Sequence, residues 1–289
     1  MSGGFYRIFF QSHVFVLTAF VFFFIMAISM LNKKSSKVKI LIQGRQFILL
    51  FILLLIFFTT SLISMSRSNW VGFIISGILI LIYSFWRYKI KGLISYLSLF
   101  FVLLGSSYLL MIGLVNFPYP KIENNVQTAE IFSERVSEMK NEAGVSSRWN
   151  LLPKLKDGIK ASLIIGSGFG STITYVSDDP RVRSDNRDGV YTTFALEWGW
   201  LDVWYKLGIL GFIFYLYFLI VVIVGAFKES LKADSLKRNF IIAIIVSVIA
   251  LAAINFFSPY LNHPLGIGLI LYLLFLLEMI IIDKDIKTD

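Results

Sequence analysis

Seven stretches of this chain are long and apolar enough to cross a membrane, and no other feature limits its fold as tightly. They lie near Val14–Leu31, Phe47–Ser64, Trp70–Trp86, Leu93–Val115, Leu207–Phe227, Phe240–Phe257 and Pro264–Ile282. A helical crossing takes roughly 17–25 apolar residues. One buried soluble helix can reach that length by chance, but a whole series does not. The hydrophobic share of 57% and mean hydropathy of +0.76 agree, because soluble domains sit nearer about 45–50% apolar. The pattern predicts an all-α polytopic membrane protein of about seven transmembrane helices, with one large extracytoplasmic loop containing short amphipathic helices. Its expected organisation is helices one to four in 1–115, the extracytoplasmic loop in 116–206, and helices five to seven with a cytoplasmic tail in 207–289.

Orientation follows from where Lys and Arg fall in the short connections. Lys33, Lys34, Lys37, Lys39 and Arg45 fill the first, and Arg87, Lys89 and Lys91 the third. Lys228, Lys232, Lys237 and Arg238 follow the fifth run, and Lys284 and Lys287 lie in the tail. These alternate segments hold 14 of the 27 basic residues against 6 acidic ones, Glu278 included, whereas 116–206 holds 11 basic and 12 acidic. The formal charge of +9 is therefore a topology signal, and no nucleic-acid partner is expected. The loop 116–206 and the N-terminus are predicted to lie outside. Met1–Ser12 has no basic n-region and no cleavage site, so it is not a signal peptide. An outward start suggests that an odd number of helices precedes it in a longer protein; the alternative is a seven-helix chain inserted with its N-terminus out.

Some chemistries are excluded at once. The chain has no cysteine, hence no disulfide, thiolate metal site or cysteine nucleophile, and only His13 and His263 as histidines. No Asp, Glu, Lys, Arg or His lies in the middle of any apolar run. Ion-coupled carriers usually place such groups at mid-membrane depth, so polar work is expected at the outer boundary.

On that outer side, Met65-Ser66-Arg67-Ser68-Asn69 turns tightly between two runs. Arg67 can grip a phosphate or carboxylate with its planar guanidinium, or simply snorkel beside Trp70 at the interface. In the loop, Val126–Asn141 and Ser147–Ser162 read as amphipathic helices, the second capped at Ser146 or Ser147. Its expected apolar stripe is Trp149, Leu152, Leu155 and Ile159, with Asp157 and three lysines on the wet side. Arg148 opens that helix. Gly166-Ser167-Gly168-Phe169-Gly170 matches neither a dinucleotide nor a P-loop pattern, which leaves a turn whose backbone approaches a ligand or a helix. Asp178–Asp188 is dense in charge, either solvated surface or an anion or cation site through Arg181, Arg183 and the aspartates. Tyr191, Trp198, Trp200, Trp204 and Tyr205 form an interfacial aromatic belt that can also stack on sugars. Glu197 and Asp202 are the carboxylates there, and either can serve as a general base.

Taken in order, Ser66-Arg67, Arg148-Trp149, Gly166-Ser-Gly-Phe-Gly170 and Leu207-Gly-Ile-Leu-Gly211 resemble the C-terminal half of the O-antigen ligase and O-antigen polymerase family. Gly3-Gly4-Phe5-Tyr6-Arg7 is similar to the external segment before that family's middle helices. The likeness covers essentially the whole chain and implies a longer protein of about a dozen helices. The family's ligases carry a histidine some eleven residues before the first glycine of Gly208-Ile-Leu-Gly211, where this chain has Glu197, which points to a polymerase-like member.

The resemblance implies glycosyl transfer on the outer face of a bacterial plasma (inner) membrane, in surface polysaccharide or lipopolysaccharide biosynthesis. The partners it implies are a polyprenyl-diphosphate-linked glycan and the lipid bilayer, with no nucleotide cofactor and no essential metal. Glu197, Arg148 and Arg67 are then the catalytic candidates, Glu197 as base and the arginines on the diphosphate. Arg7, Arg181, Arg183, Trp149, Trp198, Gly166, Gly168 and Gly170 are candidates for substrate binding. Two alternatives stay open: a flippase or exporter of lipid-linked glycan, and a non-catalytic subunit of an envelope-assembly complex.

Overall fold

The computed structural model describes residues 12–33, 37–64, 66–116 and 143–285. The expected helix Val126–Asn141 and the candidate Arg7 lie outside the described residues. In chain order the elements are α1 (His13–Asn32), α2 (Lys37–Ser64), α3 (Arg67–Asn116), α4 (Ala143–Ala161), β1 (Ile173–Val176), α5 (Pro180–Asp185), β2 (Val190–Thr193), α6 (Gly199–Lys232), α7 (Ser235–Ile254) and α8 (Pro264–Asp285). The chain is an all-α membrane protein apart from the short β1–β2 pair. Among the described residues six helices are long and apolar enough to cross a membrane: α1, α2, α3, α6, α7 and α8.

Two of the predicted segments share α3. A straight helix of its 50 residues would measure about 75 Å, more than twice the roughly 30 Å of a hydrocarbon core. It is not straight: Lys89 takes φ 56°, ψ −140° and breaks it. The Tyr96 hydroxyl then comes within 3.2 Å of where a Cβ on Gly77 would stand. In a straight helix these residues would be about 28 Å apart, so the arms on either side of Lys89 fold back on each other.

The chain divides into two compact units. The first comprises Met1–Asn125, Val222–Ile254 and Leu265–Asp289. Its core is built around α1, whose Leu17, Val21, Phe24, Ile25 and Ile28 are almost wholly buried. Phe20 stacks on Phe58 of α2 at 5.5 Å and meets Phe73 of α3 at 4.9 Å, and Phe24 meets the edge of Tyr96 at 5.5 Å. A Cβ on Gly72 would fall 2.7 Å from Leu17 and 2.5 Å from Ile254, so the missing side chain is what lets α1, α3 and α7 approach closely. On α7 the buried Asn239 accepts the Tyr83 hydroxyl at 2.6 Å. Asp234 caps α7 through the Leu236 and Lys237 N–H groups (2.8 and 3.0 Å), and Arg238 donates to the Ser230 carbonyl in the last turn of α6 and to the Ala233 carbonyl just past it, both at 2.8 Å.

The second unit comprises Val126–Val221 and Asn255–Pro264. Its core gathers Leu151, Leu155 and Ile159 of α4, Ile173 and Tyr175 of β1, then Leu196 and Tyr205, with Trp198, Leu201 and Trp204 packed on them. The strand pair was not foreseen. β1 and β2 run antiparallel with Ile173 opposite Thr193 and Val176 opposite Val190. Ile-Thr-Tyr-Val and Val-Tyr-Thr-Thr are β-branched and aromatic, and the Thr174 and Thr192 hydroxyls bond across the pair at 2.7 Å.

Helix α4 corrects two expectations. It starts at Ala143, so neither Ser146 nor Ser147 caps it and Arg148 stands in its second turn. Its buried stripe is Leu151, Leu155 and Ile159, at successive fourth residues, whereas Trp149 is 60% exposed and Leu152 half-buried. The phase is set by packing on β1 and Tyr205 rather than by Trp149. Lys154, Lys156, Asp157 and Lys160 are exposed as expected.

Candidate functional site: an arginine–glutamate pair beside a broken helix

Helix α6 begins eight residues before the predicted span and is broken at Gly208, which takes φ 68°, ψ −177°. The arm Gly199–Leu207 folds back along the start of the long arm: Trp200 meets Tyr215 at 6.0 Å and Trp204 stacks on Phe212 at 5.7 Å. A helix break strands backbone donors and acceptors, which are costly to leave unpaired near lipid. Here the segment Leu163–Gly168 supplies the partners. Ser167 N–H donates to Tyr205 O at 2.8 Å and Gly168 N–H to Lys206 O at 2.9 Å. In return Ile209 N–H donates to Leu163 O at 2.9 Å and Leu210 N–H to Ile164 O at 3.4 Å.

This exchange explains the two glycine motifs together. Gly166 and Gly168 lie at φ 80° and 84°, in the left-handed region that costs other residues strain. A Cβ on Gly166 would meet Lys206 O at 2.5 Å, and one on Gly208 would strike Ile164 O and lie 2.6 Å from Gly166 N. The approach of a turn to a helix, one of the two readings left open by the sequence, is what is seen. Gly166 and Gly168 spend their N–H groups on Ser162 and Lys206, while a Cβ on Gly170 would meet nothing.

Beside the break lies a polar cluster with a buried ion pair at its centre. Asp202 and Lys206, 2% and 8% exposed, form an ion pair at 2.8 Å. Lys206 also donates to Phe194 O at 2.9 Å, and Asn262 donates to Asp202 at 2.7 Å and to Gly199 O at 2.8 Å. Asp202, 2% exposed and held by Lys206 and Asn262, is enclosed, whereas Glu197 is open to an incoming hydroxyl. The work of Asp202 is to tie α6 to the Asn255–Pro264 segment, where Asn255 Oδ1 accepts Leu261 N–H at 3.0 Å.

The accessible charges stand on the second turn of α4. Arg148 Nε is hydrogen-bonded and ion-paired to Glu197 Oε2, with both side chains partly exposed at 35% and 48%. The neighbouring Trp198 donates its indole N–H to Arg148 O at 3.0 Å, which fixes the strand of chain carrying Glu197. Trp149 meets Trp198 edge-on at 5.5 Å, and Phe257 lies 6.4 Å beyond. Burial pushes the Tyr175 phenol up, and the nearby Glu197 charge adds to that shift.

The next arginine is tied to the same turn. Arg183 pairs with Asp178, and Asp178 accepts Asn150 Nδ2 at 2.8 Å while its own N–H bonds Ser147 Oγ at 2.8 Å. Ser147 Oγ also meets Ser177 Oγ at 2.9 Å. Thus Ser147, Arg148, Trp149 and Asn150 collect the two arms that bring Asp178–Arg183 and Glu197–Trp198. For Arg181 only its backbone place in α5 is described. Arg67 belongs to the other unit, half-buried at the first residue of α3, where Ser66 O accepts Trp70 N–H at 3.0 Å.

Phe257, Asn255, Asn262 and Lys206 are contributors that sequence reasoning did not assign. A signal for Lys206 was present: it is four residues from Asp202 at the edge of an apolar run, the spacing of a helical ion pair.

Residues 49–216, more than half of the chain, match the family model described as O-antigen ligase. No curated protein and no solved structure matches.

Proposed function

We propose, from the premise that the chain belongs to the O-antigen ligase family, that it joins a polyprenyl-diphosphate-linked oligosaccharide to a glycan acceptor at the outer face of the plasma membrane. Membrane glycosyl transfer of the O-antigen ligase and polymerase type is the family's general activity. The donor, the outer face, the inner-membrane location and the residue roles are the finer reading. On this reading 116–206 is the extracytoplasmic insert, and the member is polymerase-like.

The observation that carries it is the exposed Arg148–Glu197 pair flanked by Trp149 and Trp198. Transfer requires a proton acceptor for the incoming hydroxyl and positive charge for the departing diphosphate. Arg148 engages Glu197 through Nε, and the terminal amino groups of its planar guanidinium suit a diphosphate oxygen pair. The acceptor oxygen forms its bond to the anomeric carbon as the bond from that carbon to the diphosphate oxygen breaks. The hydroxyl proton passes to Glu197, and the negative charge leaves with the lipid diphosphate against Arg148; Arg67 stands as a separate proposal for an anion contact. Arg183 is a further contact for glycan or diphosphate, and Arg7 and Arg181 stand as proposals of the same kind. The edge-to-face tryptophans present apolar faces of the size of a sugar ring.

The test is the glycan ladder made in cells by variants present at wild-type membrane level. Arg148→Ala or Glu197→Gln should cut polymer by about 10²–10³ in rate and leave single lipid-linked units outside the membrane. Donor accumulating on the inner face would instead indicate a flippase, and an unchanged ladder would leave these residues without a catalytic part.

A further inference from the structure

The unit built around α1 holds a cavity of about 1000 Å³ that the proposed transfer does not use. Its lining includes Phe15, Phe22 and Phe23 of α1, Phe240 of α7 and Leu273 of α8, and its charged members are Lys33 and Arg87, the latter next to Tyr88. Among the described residues no aspartate or glutamate lines it. The Arg87 Nε and the Tyr88 hydroxyl are both buried atoms without a hydrogen-bond partner among the described residues, and the Arg87 guanidinium carbon lies 5.5 Å from the centre of the Tyr88 ring. Donors enclosed and unpaired in this way mark a missing acceptor, because buried polar groups are ordinarily satisfied. Net positive charge around them specifies that the acceptor is anionic.

We propose that this cavity is a binding site for an anionic phospholipid. The phosphate accepts from Arg87 Nε and Tyr88 and pairs with Lys33, while the acyl chains lie along the phenylalanines of α1 and α7. The bias of basic residues places this end at the cytoplasmic leaflet, which is rich in anionic lipid. A zwitterionic headgroup would bring its own cation against Arg87 and Lys33, so charge complementarity selects the anionic class. The assignment is independent of the transfer reaction and of the Arg148–Glu197 pair.

Native mass spectrometry of the full chain, delipidated in detergent and titrated with phosphatidylglycerol or phosphatidylethanolamine of identical acyl chains, tests it. Phosphatidylglycerol should be retained more tightly, and Lys33→Ala and Arg87→Ala should each reduce that preference about five-fold. Ala19→Trp, which fills the wall of the cavity, should remove retention of both lipids, and melting curves show whether each variant is folded. Equal retention of the two lipids, or a preference unchanged in a folded Lys33→Ala/Arg87→Ala chain, would overturn the assignment. So would a dimer mass without lipid adduct, which would put a second copy of the chain over the cavity.

Discussion

Gly166 and Gly208 meet backbone to backbone at the break in α6: a side-chain carbon on Gly208 would lie 2.6 Å from the Gly166 nitrogen. The two short glycine motifs are therefore one structural device. It lets a helix stop and restart with the Ile209 and Leu210 amides and the Tyr205 and Lys206 carbonyls paired, and it holds the arm that follows Glu197.

Alanine at either of these glycines should be strongly destabilising. Positive φ costs a non-glycine residue about 1–3 kcal/mol, and the added carbon would also press on backbone that has no rotamer to change. Gly170→Ala, whose new carbon meets nothing, should stay within about 0.5 kcal/mol of wild type. Thermal melting of the purified variants in one detergent compares the three.

Lys89 offers the opposite experiment. It alone among the described non-glycine residues has positive φ, at 56°. Lys89→Gly should stabilise the hairpin of α3, by about 1 kcal/mol if the strain is typical, seen as a higher melting temperature. A fall in melting temperature would mean that Lys89 holds its turn through its side chain.

The pair Asp202–Lys206 should behave as an enclosed charge pair. Removing one partner, as in Lys206→Met or Asp202→Ala, leaves the other buried and should cost about 3–5 kcal/mol. Removing both should cost less than the sum of the two single changes, measured as the coupling in a double-mutant cycle by denaturant or thermal unfolding.

Trp198 joins the Arg148 carbonyl to the aromatic shelf. Trp198→Phe keeps the ring packing but deletes the indole donor to Arg148 O (3.0 Å). A net loss of about 0.5–1.5 kcal/mol is expected from the hydrogen bond, with a larger fall in transfer rate because Glu197 is adjacent. The rate at matched protein level separates the two effects.

Much of the membrane part was legible because lipid imposes one rule on every segment. Apolar runs of sufficient length located α1, α7 and α8 and both arms of α3 within about five residues, whereas α2 ends where expected but begins ten residues earlier, in the basic stretch from Lys37. The wet part was harder. Its strands are four residues each, too short for alternation to stand out beside glycines and charges. Helical spacing puts Trp149 in one stripe with Leu152, Leu155 and Ile159, yet burial follows contact with β1 and Tyr205, which lie far along the chain. Asp202 looked as available as Glu197 until Lys206 and Asn262 enclosed it. Arg148 and Glu197 were each identifiable by residue type and place, but their pairing spans 49 positions, a contact that only the folded chain reveals.

The most direct measurement is transfer by the purified, reconstituted chain from a polyprenyl-diphosphate-linked oligosaccharide to a glycan acceptor, with Glu197→Gln and Arg148→Ala beside wild type. The account predicts that both variants melt as wild type does while the rate of glycosidic bond formation falls about 10²–10³-fold. Transfer at the wild-type rate by a folded Glu197→Gln chain would contradict it.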